Sequence, residues 1–348
     1  MQTSPENKRD NDSSRQLAGE MLEKALRQLQ QFQNNDGSFS CYQKIIIGTG
    51  NEQWTESFPV PFITASVLCS LINVRHALAD EIARKGCGFL KQLQEYRGLW
   101  RYWKHSPYVD CVPPDADDTC LSSFFIKAHT GIAPENLHWL TENQNEAGML
   151  LTWFTPQPRF KKYPALYAEL LQDAANYKAT IEKGYLHPDD WEVSVMANIL
   201  LYLGENQATF SAIHYIIDCL SGGKPFEKQY YKNDTIIWYH VARAFENGVH
   251  SFRHLKEAAC RNLRHKVQAD FHGENLLESI LAAITLTYFN APVSDTPFLR
   301  WLLSNNPPVE LHSLFPYYTS KDNLFYASAP SLGWSWYAEL LQLQLNGR

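Results

Sequence analysis

Two kinds of helical stretch alternate along this chain, and the alternation limits the folds open to it. Leu17, Met21, Ala25, Leu29 and Phe32 recur at helical spacing on one face of a segment whose other positions are charged or Gln-rich, the pattern of a helix half in water. Phe62 to Val74, Val193 to Leu203 and Ile280 to Phe289 are instead apolar nearly all round. A helix apolar on every side is buried on every side. Amphipathic helices are expected near residues 16–33, 77–95, 163–182, 206–220, 252–268 and 296–304. Each is followed by a more apolar one, near 58–74, 116–130, 190–204, 233–247, 275–290 and 331–345. No run of period-2 alternation predicts a strand. The six pairs predict an all-α fold, an (α/α)6 barrel of six buried inner helices inside six half-exposed outer ones. Residues 1–15 are polar beyond Met1 and read as a disordered tail, which leaves 16–348 as one barrel domain.

Composition narrows the class of partner. With 31 Lys and Arg against 37 Asp and Glu, the net charge is −6, so no basic excess exists to displace counterions from nucleic acid. Neither a membrane-spanning run nor a secretory leader is expected, although peripheral contact with a membrane is compatible with the sequence. The seven cysteines are odd in number and lack metal-ligand spacing, as suits buried thiols in a reducing cytoplasm. Aromatics make up 13% of the chain. Most large rings are ordinary core, yet this supply is enough to line an aromatic pocket.

A short motif recurs on the helical plan. Gln33-Asn-Asn-Asp-Gly37-Ser-Phe39 ends the first outer helix and Gln94-Glu-Tyr-Arg-Gly98-Leu-Trp100 the second. Both read Gln-x-x-x-Gly-x-aromatic, with Lys24 and Lys85, and Leu29 and Leu90, at matched upstream positions. Gln144, Gly148 and Leu150 form a degenerate third copy. The Gly supplies the left-handed turn that ends a helix, and the Gln amide is free to bond backbone at a neighbouring helix end.

Between Pro113 and the second inner helix lies Pro114-Asp115-Ala116-Asp117-Asp118-Thr119. One aspartate there would serve as a helix cap. Three within four residues exceed that need, because they repel. Crowded carboxylates cannot all ionise, so one is held protonated near neutral pH by its neighbours' charge and by burial. A neutral carboxylic acid is what an isolated C=C, an extremely weak base, requires of a proton donor.

Together these features resemble the class II terpene cyclases, the squalene-hopene cyclase-like family. The repeated segments look like the QW repeats that tie its barrel helices together, and 115–118 looks like its Asp-x-Asp-Asp motif. The resemblance implies cyclisation of a linear polyprenyl chain, begun by protonation, carried through carbocations and ended by deprotonation. By it Asp117 is the proton donor, while Asp115 and Asp118 raise its acidity and orient its proton. The full acidic cluster implies an unactivated terminal alkene rather than an epoxide. Ala197-Asn198-Ile199-Leu200 with Gly204 is similar to the inner-helix segment that sets a His against the acid, so Asn198 takes that position. This departure leaves the reprotonation route open. The buried amide needs a partner, either the acid cluster or backbone. The chain has length for one barrel where squalene-hopene cyclases have two, and it looks most like the merosterolic acid synthase type of meroterpenoid cyclase. Those enzymes act on a polyprenyl chain attached to an aromatic acid.

A carbocation needs walls that stabilise charge without adding to it, which ring π-faces provide. Candidates on or beside inner helices are Trp54, Phe58, Trp103, Tyr108, Phe124, Trp153, Trp191, Trp238, Tyr239, Trp334 and Trp336, each of them equally explicable as core. His240 is either a terminating base or a satisfied core histidine. Arg97, Arg101, Lys104 and His105 could pair with a substrate carboxylate or form a solvated basic surface. Asp189, Asp190 and Glu192 miss the Asp-Asp-x-x-Asp of metal-dependent synthases because Val193 holds the fifth position. No catalytic metal and no cofactor are expected, and Asp189 and Asp190 read as a cap for the third inner helix. Two rival functions stay open: a class II cyclase of farnesyl or geranylgeranyl diphosphate, and a non-catalytic barrel that binds a lipid or a protein.

Overall fold

A computed structural model describes residues 5–46, 53–104, 111–268, 275–291, 293, 296–304, 309–320 and 325–348, the side chains of 5–14 and 309–310 excepted. In chain order the elements are α1 (Pro5–Phe32), β1 (Cys41–Ile45), β2 (Trp54–Ser57), α2 (Pro61–Leu71), α3 (Ala77–Leu93), α4 (Ala116–Thr130), α5 (Leu137–Glu142), α6 (Pro164–Glu182), α7 (Val193–Leu203) and α8 (Phe210–Leu220). There follow α9 (Asp234–Glu246), α10 (Lys256–Gln268), α11 (Leu276–Tyr288), α12 (Pro297–Ser304), β3 (Tyr318–Thr319), β4 (Phe325–Ser328) and α13 (Pro330–Leu345).

Six helices form a closed inner ring. Each of α2, α4, α7, α9, α11 and α13 packs on the next, and α13 returns to α2. Their composition follows from that enclosure: α2 is buried at every residue and α7 from Val193 to Tyr202, so neither has a face turned to solvent. The outer helices show the opposite pattern. Along α10 only Ala258, Ala259, Leu263 and Val267 are buried, one stripe at helical spacing turned toward α11. Helix α1 packs on both α13 and α3 and so joins the ends of the outer ring. The protein is an all-α barrel.

Three expectations need correction. Helix α1 begins at Pro5, so residues 5–15 continue the first outer helix instead of forming a tail. The reading relied on an apolar stripe, and polar residues with helix propensity carry no such signal. The expected third outer helix exists as α6, but of α5 and α6 it is α5, the one that the third repeat copy follows, that packs on α7. Helix α6 instead grips the loop after α3: Arg97 pairs with Glu169, Tyr96 and Arg101 reach Asp173, and Thr180 Oγ1 donates to Cys111 O at 2.7 Å. Finally, an antiparallel sheet of order β2-β1-β4-β3 is present, with Tyr42 opposite Ser328 and Tyr318 opposite Ala327. Its strands are too short and mixed for a period-2 signature (Cys-Tyr-Gln-Lys-Ile and Trp-Thr-Glu-Ser, for example).

The repeated motif makes one turn three times. The N–H after the Gln donates four residues ahead: Asn34 N to Ser38 O at 2.9 Å, Glu95 N to Leu99 O at 2.9 Å, and Asn145 N to Met149 O at 3.0 Å. The glycines need their type. Gly37 has φ +92, and a Cβ there would meet Lys85 O at 2.2 Å. The Gln33 amide bonds Ile82 O of α3 at 2.9 Å, and Trp100 Nε1 donates back to Leu90 O at 2.9 Å. The Gln33 bond ties α1 to α3, and the Trp100 bond holds that ring against the end of its own helix.

Candidate active site

The N-terminal ends of α2, α4 and α7 meet at one mouth of the barrel, together with loop residues that precede α9 and α13. Strands β2 and β4 run into α2 and α13, so the small sheet lies at this same mouth. Here Pro113 and Pro114 hold the chain extended, and α4 starts directly after them. Asp115 caps it, its carboxylate accepting Asp118 N at 2.7 Å. The cap is pinned from both sides by the exits of two repeat copies. Asp115 N donates to Trp100 O at 3.0 Å, and Ala116 N to Thr152 O at 2.7 Å. Thr152 N in turn donates to Asp190 O at 2.8 Å. The repeats thus fix the acidic loop as well as the outer ring.

The three aspartates divide into a pair and a single acid. Asp115 and Asp118 face one another, and each keeps a buried oxygen without a donor. A proton shared between them satisfies both. Burial raises both carboxyls, and the charge of Asp115 raises Asp118 further. Asp117 points elsewhere. Asn198 Nδ2 donates to its Oδ1 at 2.8 Å and the Tyr231 hydroxyl donates to its Oδ2. Burial pushes Asp117 up to about 6, while Tyr231, Asn198 and then the Arg243 charge pull it back. Burial rather than crowding is therefore what raises the Asp117 carboxyl, and its conjugate base is met by two donors already in place.

Deeper in the barrel the lining is polar. Arg243 Nη2 donates to Asn198 Oδ1 at 2.8 Å. Beyond it Glu339 accepts hydroxyls from Tyr239, at 2.8 Å, and Tyr288. His240 sits beside this column with Nδ1 at 2.6 Å from Ser194 Oγ and Nε2 at 2.8 Å from Tyr317 OH. Burial and the Arg243 charge hold it well below the usual imidazole range, so both oppose a role as proton acceptor.

Beside the acids lies a cavity of about 20 Å³ bordered by all three aspartates, room for roughly one water. Phe62, Tyr102, Thr152, Trp153, Val195, Tyr230 and Tyr318 line it. Among these rings Tyr318 is stacked on Tyr230 at 5.7 Å and on Tyr102 at 5.8 Å.

Of the expected wall residues, Trp153 lines this cavity, and Trp103 stands behind it against Tyr102. Trp336 packs on Tyr317, and Tyr239 lies in the deeper polar layer. Trp191 packs on Tyr215 of α8 and Trp334 on His312 and Tyr337. Phe58 is 51% exposed at the mouth, and Trp54 lies half-buried in β2. Phe124 is half-buried and Trp238 buried, both packed with the core. Tyr108 and His105 fall outside the described residues. Arg101 pairs with Glu95 and Asp173, Lys104 with Glu95, and Arg97 with Glu169, so these cations are engaged within the protein. Asp189 is exposed, Asp190 accepts the Tyr230 hydroxyl, and neither caps α7, whose N-cap is Glu192. The residues missed are Phe62, Tyr102, Tyr230, Tyr231, Tyr318 and Arg243. Their only sequence sign was a doublet of tyrosines in each of two loops, Tyr230-Tyr231 and Tyr317-Tyr318.

No family model matches this chain, and no curated protein matches it. Solved structures share the fold. A protein from Actinoplanes superposes with a TM-score of 0.65 at 13% identity, over 95% of this chain and 100% of that one. The type II terpene cyclase MstE from Scytonema, a variant in complex with geranylgeranyl dihydroxybenzoate as substrate, superposes with a TM-score of 0.60 at 12% identity, over 96% of this chain and 99% of that one.

Proposed function

We propose that this protein is a class II terpene cyclase in which Asp117 protonates the terminal alkene of a linear polyprenyl chain. The observation that carries the reading is the acid itself: a buried carboxyl beside an aromatic cavity, with Asn198 and Tyr231 aimed at the charge it acquires on giving up its proton. An alkene needs both a protonated acid and a stabilised conjugate base, and this arrangement supplies the two together. As the Asp117 proton adds to the CH carbon of the terminal double bond, positive charge develops on its dimethyl-substituted end carbon. Successive double bonds attack it, and a final C–H bond gives up its proton, so the net change is isomerisation. Phe62, Tyr102, Trp153, Tyr230 and Tyr318 would face the travelling charge.

One barrel would carry out the whole reaction. A polyprenyl chain on an aromatic acid is the favoured substrate, in keeping with the ligand of the superposed Scytonema cyclase. A diphosphate head group would call for free cations near the mouth, and Arg97, Arg101 and Lys104 are committed to internal pairs. A purely binding barrel has no use for three buried carboxyls, each costly to desolvate. Mass spectrometry after incubation with geranylgeranyl dihydroxybenzoate and, separately, geranylgeranyl diphosphate tests the reading. An isomer of the first with fewer double bonds is expected. Product from neither removes the activity, and product from the diphosphate alone transfers the reading to that substrate.

A further inference from the structure

The acidic stretch Asp189–Glu192 is absorbed neither by metal binding nor by helix capping. Glu192 is 1% exposed and occupies the N-cap of α7, yet its side chain makes no bond to its own helix. Its two oxygens reach across instead: Oε2 accepts Tyr230 N at 2.8 Å and Oε1 accepts Tyr231 N at 3.1 Å. Asp190 takes the Tyr230 hydroxyl at 2.9 Å. Three bonds thus fasten a two-residue loop segment whose second member, Tyr231, donates its hydroxyl to Asp117.

We infer that Glu192 is a positioning residue for the acid, acting through the Tyr231 backbone to hold the phenol against Asp117; as a statement about catalysis this rests on the cyclase reading above. Each of the two adjacent N–H groups has its own carboxyl oxygen, whereas a Gln amide in the same place would set an NH2 donor against one of them. Loop segments fixed only by their ends are mobile, and a phenol that wanders by an ångström loses its bond to the carboxylate. The charged and titratable groups around Glu192 are Asp117 from α4, Lys232 and the two tyrosines from its partner loop, and Tyr318 from β3.

The decisive experiment follows the Asp117 carboxyl by carbon NMR through a pH titration, beside steady-state turnover of geranylgeranyl dihydroxybenzoate, in Tyr231→Phe, Glu192→Gln and the double variant. Loss of the phenol bond leaves the Asp117 anion less stabilised, so its midpoint should rise by about one pH unit and kcat should fall roughly 10- to 100-fold with little change in KM. Glu192→Gln should reproduce both effects, and the double variant should be no worse than Tyr231→Phe alone. Should Glu192→Gln not fold, Glu192→Asp keeps both oxygens on a stem one methylene shorter and allows the same comparison. An Asp117 midpoint unmoved by Glu192→Gln, or losses in kcat that multiply in the double variant, would overturn the inference. An inactive wild type whose Asp117 midpoint still shifts in the variants keeps the positioning and removes the cyclase reading.

Discussion

Asn198 and Arg243 fix one another's direction: the guanidinium donates to Asn198 Oδ1 at 2.8 Å, which leaves the amide Nδ2 to face Asp117 Oδ1, also at 2.8 Å. An amide in a uniformly apolar helix could point either way. A buried cation beside it decides which. The acid is thereby supported from below as well as from the Tyr231 side.

If Asn198 stabilises the anion left on Asp117, Asn198→Ala should lower kcat about 10- to 150-fold, the rate equivalent of a hydrogen bond to a charged group, with KM little changed. Asn198→His should retain more activity than Ala if the ring fits beside His240. Full kcat in a protein whose Tm has dropped would assign Asn198 a structural role alone.

Asp117→Asn keeps the shape and removes the transferable proton. Cyclisation should fall by at least 100- to 10,000-fold, the usual weight of a general acid, while far-UV circular dichroism stays as in the wild type. Near-normal turnover in this variant would exclude Asp117 as the donor.

The acid must be protonated to act, and burial places Asp117 at about 6. We expect kcat/KM to be level below that pH and to fall tenfold per pH unit above it, a profile that an alkaline optimum would contradict.

The same burial governs stability. The folded-state value of Asp117 lies above that of an unfolded aspartate, so the folded protein binds the extra proton and loses stability as pH rises from about 4 through about 6. Glu339, raised to about 7, and Glu192, raised to about 8, both by burial, extend the loss. Tm should therefore decline between pH 5 and pH 8. Asp117→Asn should recover part of it at pH 8, up to about 3 kcal/mol, the free-energy equivalent of the gap between the folded and unfolded values.

Because protonation and not diphosphate departure begins the reaction, EDTA should leave turnover of geranylgeranyl dihydroxybenzoate unchanged. Inhibition reversed by magnesium would point to a diphosphate-ionising enzyme.

Much of this was legible in the linear chain. The inner helices were readable because enclosure makes them more apolar than their outer partners: α4 spans 116–130 as expected, and α7 and α9 lie within three residues of expectation. The repeat was readable because a left-handed Gly and a fixed spacing are local requirements, as was the acidic cluster, which lies on consecutive residues. The sequence could also supply a short list for the partner of Asn198, since a buried amide must have one.

Tertiary structure alone decided the rest. Asp117 and Tyr231 are 114 residues apart, and no periodicity links a loop tyrosine to a distant helix cap. The rings at the acid come largely from loops and from β3, where burial leaves no local pattern in the sequence. The basic residues near the acid in sequence turned into internal ion pairs once α6 folded over them. Local chemistry and helical period are written along the chain, whereas which carboxyl is buried, and what faces it, depends on how six helices close into a ring.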